Sequence, residues 1–419
     1  MPAGIKIKSY KSASRYDKIE QLPFPQEAVV YTLQHIGAPA KPVVKKGDEV
    51  KRGQLIAEGQ GRCSSDFHAP VGGKVTAVSL QNRPDGKVSE AITIKKEGDQ
   101  APLLMEPLGE ITSETVRERV RMAGIVGMGG AGFPAYIKLN PPKKIETVLL
   151  NGCECEPYLT ADERMMIEDG EKIVAGFVLV RDTVGAAKGL IGIEKDKKEA
   201  ISNMSRIAAY TKGIEVVELQ KVYPQGCEKM LITAVTGKEV PLGGLPHDIG
   251  ISVHNVGTCL AVHEAVCEGK PLIERVITVC GPEMIKSVNV RTAIGTRISE
   301  ILGYYQVEKR ETYNILMGGP MMGFSIDSAE LPVLKTTSGI LLKSPEKHNE
   351  YPCMVCGKCV DVCPVQQIPQ RLNRFYDGKD YDRMKEEGLL NCMECGCCSY
   401  ICPSGIPLTY KFKTAKTLL

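Results

Sequence analysis

The spacing of hydrophobic positions changes as the chain is read. Across residues 28–95, apolar residues come in strand-length runs cut by turn signals at Lys46-Gly47-Asp48, Gly53, Gly72-Gly73 and Pro84-Asp85-Gly86. This predicts a small β-barrel or sandwich, preceded by a polar, extended stretch over 1–25. Over 113–269, helical and strand patterns alternate. Helices are expected over 113–122, 160–167, 171–187 and 197–210, and strands over 145–150, 190–193 and 214–219. The first of these helices lacks a full capping box at Ser113. The second is opened by the capping-box signal Thr160-Ala161-Asp162-Glu163. Alternation of this kind argues an α/β sheet. Strands over 276–280, 287–290 and 314–317 then bracket one helix near 296–302, a small α+β unit. Residues 332–350 read as a linker, and 366–389 as two short helices. The expected fold class is multidomain α/β and α+β. Its divisions are a barrel at 1–100, an α/β domain at 110–270, an α+β unit at 271–330, a linker at 331–350 and a helical tail at 351–419.

Composition narrows the classes of function. The chain has 419 residues, 43% hydrophobic and 25% charged, as expected of a globular protein of several domains. A net charge of +3 with interspersed signs, and no Trp, gives no case for nucleic acid. No apolar run reaches the ~20 residues that span a bilayer; the best, 173–180, stops at Arg181-Asp182. Any membrane association is therefore expected to go through partner proteins. The absence of an apolar signal run, together with cysteines such as Cys63, Cys227, Cys259, Cys267 and Cys280 in apolar contexts, suits a reducing compartment.

Half of the sixteen cysteines fall into two matched runs. The first is Cys353-x2-Cys356-x2-Cys359-x3-Cys363-Pro364, and the second Cys392-x2-Cys395-x2-Cys398-x3-Cys402-Pro403. This is the ligand spacing of two four-iron clusters. Three thiolates of each run can converge on one cubane, and the fourth, before proline, serves the other. One cluster is thus assigned to Cys353, Cys356, Cys359 and Cys402, the other to Cys392, Cys395, Cys398 and Cys363. Gly357 and Gly396 let the loops pass close to the clusters. Cys397 is an extra thiol, and Cys398 fits the spacing better. Paired CxxC motifs also bind zinc, but zinc sites seldom need a third step plus Cys-Pro, or its duplication.

A second concentration of chemistry lies at Gly127-Met128-Gly129-Gly130-Ala131-Gly132-Phe133-Pro134. It contains GxGxxG, but the segment before it is helical in pattern and Pro134 follows at once, so an ordinary dinucleotide fold is not expected. Consecutive glycines can still present a nest of N–H groups to an anion, with Lys138 adding a point charge. Asn151-Gly152-Cys153-Glu154-Cys155-Glu156-Pro157 ends a strand, where ligand crevices form. Asn151 could bond a planar ring edge, and Glu154 and Glu156 could accept from ribose hydroxyls. Cys153 and Cys155 could instead be metal ligands. Tyr223-Pro224-Gln225-Gly226-Cys227-Glu228 and His254-Asn255-Val256-Gly257-Thr258 each precede a helix, and each alone could be only a cap.

Three resemblances follow. The segments 44–54 and 68–75 are similar to the two halves of a biotinyl/lipoyl carrier domain. The interval 58–66, where carriers place an acceptor lysine, has none, so a structural or docking barrel is expected. The four segments of the preceding paragraph resemble, in order and spacing, the flavin subunit of respiratory complex I. That resemblance implies a site for FMN and NADH at Gly127, Gly129, Gly130, Gly132, Lys138, Asn151, Tyr223, Gly226, Glu228, Asn255 and Thr258, with Glu154 and Glu156 positioning the nicotinamide nucleotide. Met128 stands where that family has arginine, and Cys153 where it has aspartate. The whole layout, including Gln34-His35-Ile36-Gly37-Ala38-Pro39-Ala40 in the barrel, a β-grasp unit and the two-cluster tail, resembles the C-subunit family of the Rnf electron-transport complex. This implies an NADH-linked flavin and iron–sulfur oxidoreductase at the cytoplasmic face of a membrane complex. Its cofactors would be non-covalent FMN and two [4Fe-4S] clusters, its substrate NAD(H), and its partners the membrane-embedded and ferredoxin-like subunits. A cobalamin reductase or a proline-reductase-linked electron-transfer protein shares the flavin-plus-cluster core, although cobalamin reductases lack the barrel ahead of the glycine loop. A flavin-free relay and docking scaffold is the alternative from another class.

Overall fold

The computed structural model describes residues 4–307, 313–345 and 349–419. The barrel is built from two sheets. One orders the strands Glu27–Tyr31, Val88–Lys96, Gly73–Asn82 and Glu49–Val50; the other orders Lys41–Pro42, Leu55–Glu58 and Phe67–His68. Ile56, Phe67, Val75, Ile92 and Ile94 fill the space between them. The stretch ahead of the barrel does more than extend. Ile5 bridges Tyr223, and Glu20–Gln21 adds a parallel edge strand to Val288–Ala293, about 270 residues away.

The α/β unit has a four-stranded parallel sheet, ordered Ile214–Leu219, Lys188–Glu194, Thr147–Asn151 and Ile251–Asn255. The first three strands in the chain add in one direction and the fourth returns to the other side of Thr147–Asn151. The strand order therefore switches between two neighbours whose last residues, Asn151 and Asn255, stand directly opposite each other. Ligand crevices open at such a switch point. Two helix starts differ from expectation. Helix Ser113–Met122 does have a full capping box, set one residue earlier: the Thr112 and Thr115 hydroxyls each accept from the other's N–H. Thr160 does not cap Ala161–Glu168, because its hydroxyl is taken up by Ser14 and Asn289.

The third unit is a six-stranded mixed sheet ordered Glu20–Gln21, Val288–Ala293, Glu274–Cys280, Gly339–Lys343, Asn314–Met317 and Phe324–Ile326. Gly339–Lys343 corrects the expectation of a linker over 331–350, since it is a central strand of this sheet. Its short run Ile340-Leu341-Leu342 is wholly buried. Ile340 and Leu342 pack with helix Ile298–Tyr304, while Leu341 meets Leu159 on the other face. Three apolar residues are too few for periodicity to announce a strand. The tail holds helices Pro369–Asp377, Tyr381–Glu386 and Leu408–Thr417 around Leu372, Met384 and Phe412. Among the described residues, no helix is long and apolar enough to cross a membrane.

Candidate functional site

One cavity of about 820 Å³ opens at the switch point, within the size range of small-molecule sites. Every unit contributes a wall: Gln34, His35 and Ile36 from the barrel; Gly129, Asn151 and Asn255 from the α/β unit; Arg275 and Gly319 from the mixed sheet; Met393 and Glu394 from the tail. Of the residues singled out in the sequence, Gly129, Gly130, Asn151, Glu154, Glu156, Gly226, Glu228 and Asn255 line it. Gly127, Gly132, Lys138, Tyr223 and Thr258 stand outside its wall.

The glycine loop is a hairpin closed by a bridge between Val126 and Pro134 and by the Gly127 N–H donating to Phe133 O at 2.8 Å. Only a four-residue turn of helix, Ala135–Lys138, follows it. The Met128 N–H donates to Thr258 Oγ1 at 3.0 Å, which ties the loop to helix Val256–Cys267. A Cβ on Gly129 would lie 3.0 Å from Asn255 Cβ, whereas one on Gly130 would meet nothing within 4 Å. Lys138 does not add its charge to the loop, which corrects the expectation. Its ammonium donates to Glu228 Oε1 at 3.0 Å and to Val253 O at 2.6 Å, drawn back by a carboxylate and a mid-strand carbonyl.

The two asparagines spend their amides on the protein. Asn151 accepts from Cys153 N and donates to Gly226 O at 2.8 Å. Asn255 accepts from Gly257 N as the cap of its helix and donates to Asp162 Oδ2 at 2.7 Å. Glu154 accepts from Asp162 N at 3.0 Å and Glu163 N at 3.3 Å, taking the role at the helix start that Thr160 leaves vacant. A carboxylate is favoured there by the helix dipole. Glu156 accepts from Met321 N at 3.0 Å and Met322 N at 2.8 Å. Burial raises both carboxyls above the ordinary range, and for Glu156 the two amides pull the other way. Both glutamates thus edge the cavity while stapling its walls.

Several site residues carry no motif. Lys11, fully buried, donates to the carbonyls of Glu154 and Leu159 and holds the 153–159 loop from behind. Asp162 and Arg275 lie on the cavity wall. The segment Gly318-Gly319-Pro320-Met321-Met322-Gly323 packs so closely that a Cβ on Gly319 would run into Glu156. A second glycine cluster is the one local signal available for it; Lys11 and Arg275 have none.

The cysteines form two rings. Cys353, Cys356, Cys359 and Cys402 surround one small cavity. Cys363, Cys392, Cys395 and Cys398 surround another, with Cys397 also on its wall. Gly357 and Gly396, both left-handed, open the short helices Lys358–Asp361 and Cys397–Ile401 that carry the third thiols. Backbone N–H groups of Gln367 and Glu394 point at Cys363 and Cys392 sulfur. Four thiols and amide donors around one void fit a cubane cluster. Among the described residues, no three His, Cys, Asp or Glu side chains stand as a donor set for a single metal ion. The Cys397 sulfur lies 3.9 Å from Tyr223 O, and the Tyr223 hydroxyl donates to Cys395 O at 2.7 Å.

Comparison with known proteins agrees with this geometry. Residues 1–99 match the family described as RnfC barrel sandwich hybrid domain, 120–264 the Nuo51 FMN-binding domain, and 352–406 the 4Fe-4S dicluster domain. The chain is 42% identical over 393 residues to the C-subunit of the proton-translocating ferredoxin:NAD(+) oxidoreductase complex of Clostridium ljungdahlii, covering 92% of this chain and 86% of that one. It is 41% identical to the C-subunit of the ion-translocating oxidoreductase complex of Rhodobacter capsulatus, covering 99% and 82%. It is 39% identical to the Pseudomonas aeruginosa counterpart, where the match covers 99% of this chain but 55% of the relative. Among solved structures, an NAD+-reducing [NiFe]-hydrogenase chain superposes with a TM-score of 0.51 at 17% identity, covering 73% of this chain and 60% of that one, a likeness of fold.

Proposed function

We propose a function from one premise: the chain belongs to the C-subunit family of ion-translocating ferredoxin:NAD(+) oxidoreductase complexes. On this premise it is the NADH-reactive, electron-transferring subunit of an Rnf-type complex, with FMN in the switch-point cavity and a [4Fe-4S] cluster on each thiol ring. When bound, the flavin trades a two-electron hydride for single electrons, which the clusters carry. The observation that carries the reading is a shared wall. Met393 and Glu394, inside the second cysteine run, line the same cavity as Gly129, Gly130 and Asn151.

The chain's own residues then divide the work. Gly129 and Gly130 bring bare backbone to the flavin, while Gly127, Gly132 and Thr258 hold the loop's shape. Asn151, Gly226 and Asn255 fix the crevice floor, and the Lys138–Glu228 pair braces it from outside. Glu154 and Glu156 position the loops that face the nicotinamide nucleotide. Tyr223 ties the flavin side to the second ring through Cys395. The second ring exchanges electrons with the cavity, and the first, whose Cys353 and Cys356 are exposed, exchanges them with a partner. The partners are the membrane-embedded and ferredoxin-like subunits of the complex, which hold this subunit on the cytoplasmic face of the membrane.

The test counts iron, sulfide and extractable flavin per chain in anaerobically reconstituted protein, then adds NADH. About eight irons, one FMN and bleaching of the cluster absorbance are expected. Brown protein that binds no flavin and is not bleached would leave only a relay scaffold.

A further inference from the structure

Arg275 sits in strand Glu274–Cys280 of the mixed sheet, yet its side chain reaches the cavity at the switch point. It is 6% exposed. Its Nε and Nη2 both donate to a single carbonyl, Thr337 O, at 3.0 and 2.8 Å. Nη1 has no hydrogen-bond partner among the described residues. That nitrogen lies 3.6 Å from where a Cβ on Gly257 would stand, at the first turn of helix Val256–Cys267. A helix N-terminus carries partial positive charge, so a buried cation aimed at it is unfavourable unless an anion joins them. The nearby carboxylate, Asp162, is engaged with the Asn255 amide and makes no ion pair with Arg275 within the described structure. Burial lowers the Arg275 pKa to about 10, with Asp162 offsetting only part of that.

The glycine loop meets the same spot, because Gly129 packs against Asn255, the cap of that helix. The loop brings amides but no cation: residue 128 is methionine, and Lys138 is turned back to Glu228 and Val253. Arg83, Lys229 and Lys413 also line the cavity, but none of them is buried. We infer that Arg275 is the cation that binds the phosphate of FMN, supplied from the mixed-sheet unit across the crevice rather than from the glycine loop. The inference rests on the flavin reading above.

The test is equilibrium binding to deflavinated, cluster-loaded protein, read by quenching of flavin fluorescence. The Arg275→Gln variant should weaken FMN binding roughly 10- to 100-fold, the worth of a lost charge-assisted contact. Riboflavin, which lacks the phosphate, should bind wild type and variant alike. Inorganic phosphate should compete with FMN in the wild type and much less in the variant. Iron content and melting temperature report whether the variant is folded, and Arg275→Met, which also removes the charge, carries the same comparisons if R275Q is not. Unchanged FMN affinity, or equal loss of FMN and riboflavin, would overturn the inference. A wild type that binds neither flavin would instead sink the flavin reading itself.

Discussion

The two cysteine runs share one spacing, one left-handed glycine and one short helix each, yet their surroundings differ. Cys353 and Cys356 are exposed, as are their neighbours Met354 and Val355. Cys395, Cys397 and Cys398 are buried, and Met393 and Glu394 line the switch-point cavity. A Cβ on Gly357 would meet nothing within 4 Å, whereas one on Gly396 would stand 3.0 Å from Met321 O. Position 358 of the first run is a lysine, and its counterpart is Cys397, packed with Ile5 and Tyr223. A duplicated motif thus gives an inner ring whose loop lines the switch-point cavity and an outer ring with two exposed thiols. The lesson is that a ligand motif specifies the cofactor, while its neighbours specify the direction in which the cofactor communicates.

The largest expected effect separates the two rings outright. Cys395→Ser should stop NADH-driven bleaching of the remaining cluster while the flavin is still reduced, because the inner ring loses a cluster ligand. Cys356→Ser should leave bleaching of the inner cluster intact. Stopped-flow absorbance decides it, and equal rates in the two variants would erase the inner–outer distinction.

Backbone substitutions should come next. Gly357→Ala should cost about 1–2 kcal/mol, the strain of a side chain in the left-handed region. Gly396→Ala should cost more, because Met321 must also move; denaturant melts of the holoprotein give the difference. Tyr223→Phe should cost about 1–3 kcal/mol by leaving the buried Cys395 carbonyl unpaired. It should also slow cluster reduction while NADH-to-flavin transfer is unchanged, and a variant with both steps intact would deny Tyr223 any linking role.

A further contrast is the pH dependence that buried histidines of the barrel and α/β units impose. Burial lowers His35 to about 4, His68 to about 3 and His254 to about 3. Their unfolded values lie near 6.5. As pH falls from about 6.5 toward 4, the unfolded chain takes up protons that the folded chain refuses, so stability declines through that window. The tail from 351 onward has no histidine. Melting followed by flavin release should therefore shift down between pH 7 and 5, and His35→Gln should flatten that slope. A slope of the same size in cluster loss, persisting in H35Q, would remove the contrast.

Local chemistry made much of this architecture legible. Eight thiols at fixed spacing, glycines at a loop, and strand-length apolar runs each carry their meaning within a dozen residues. The central strand Gly339–Lys343 escapes such reading because three apolar residues between polar neighbours carry no period. For helix Ala161–Glu168 the nearest suitable hydroxyl is Thr160. The competing hydroxyl and amide of Ser14 and Asn289 claim that side chain, and Glu154 takes the helix instead. Lys138 is the closest cation to the glycine loop in sequence, but proximity cannot show a carbonyl at Val253 pulling it away.

Residue type and short-range spacing were enough to single out the two cysteine runs, the glycine loop and the fold class. They could not say which thiol ring faces the cavity, which carboxylates become staples, or that Lys11 and Arg275 belong to the site. Those outcomes were left to the folded chain, because most of them depend on contacts between segments some 60 to 170 residues apart. At such separations burial and competition for hydrogen-bond partners, not local pattern, set where a side chain points.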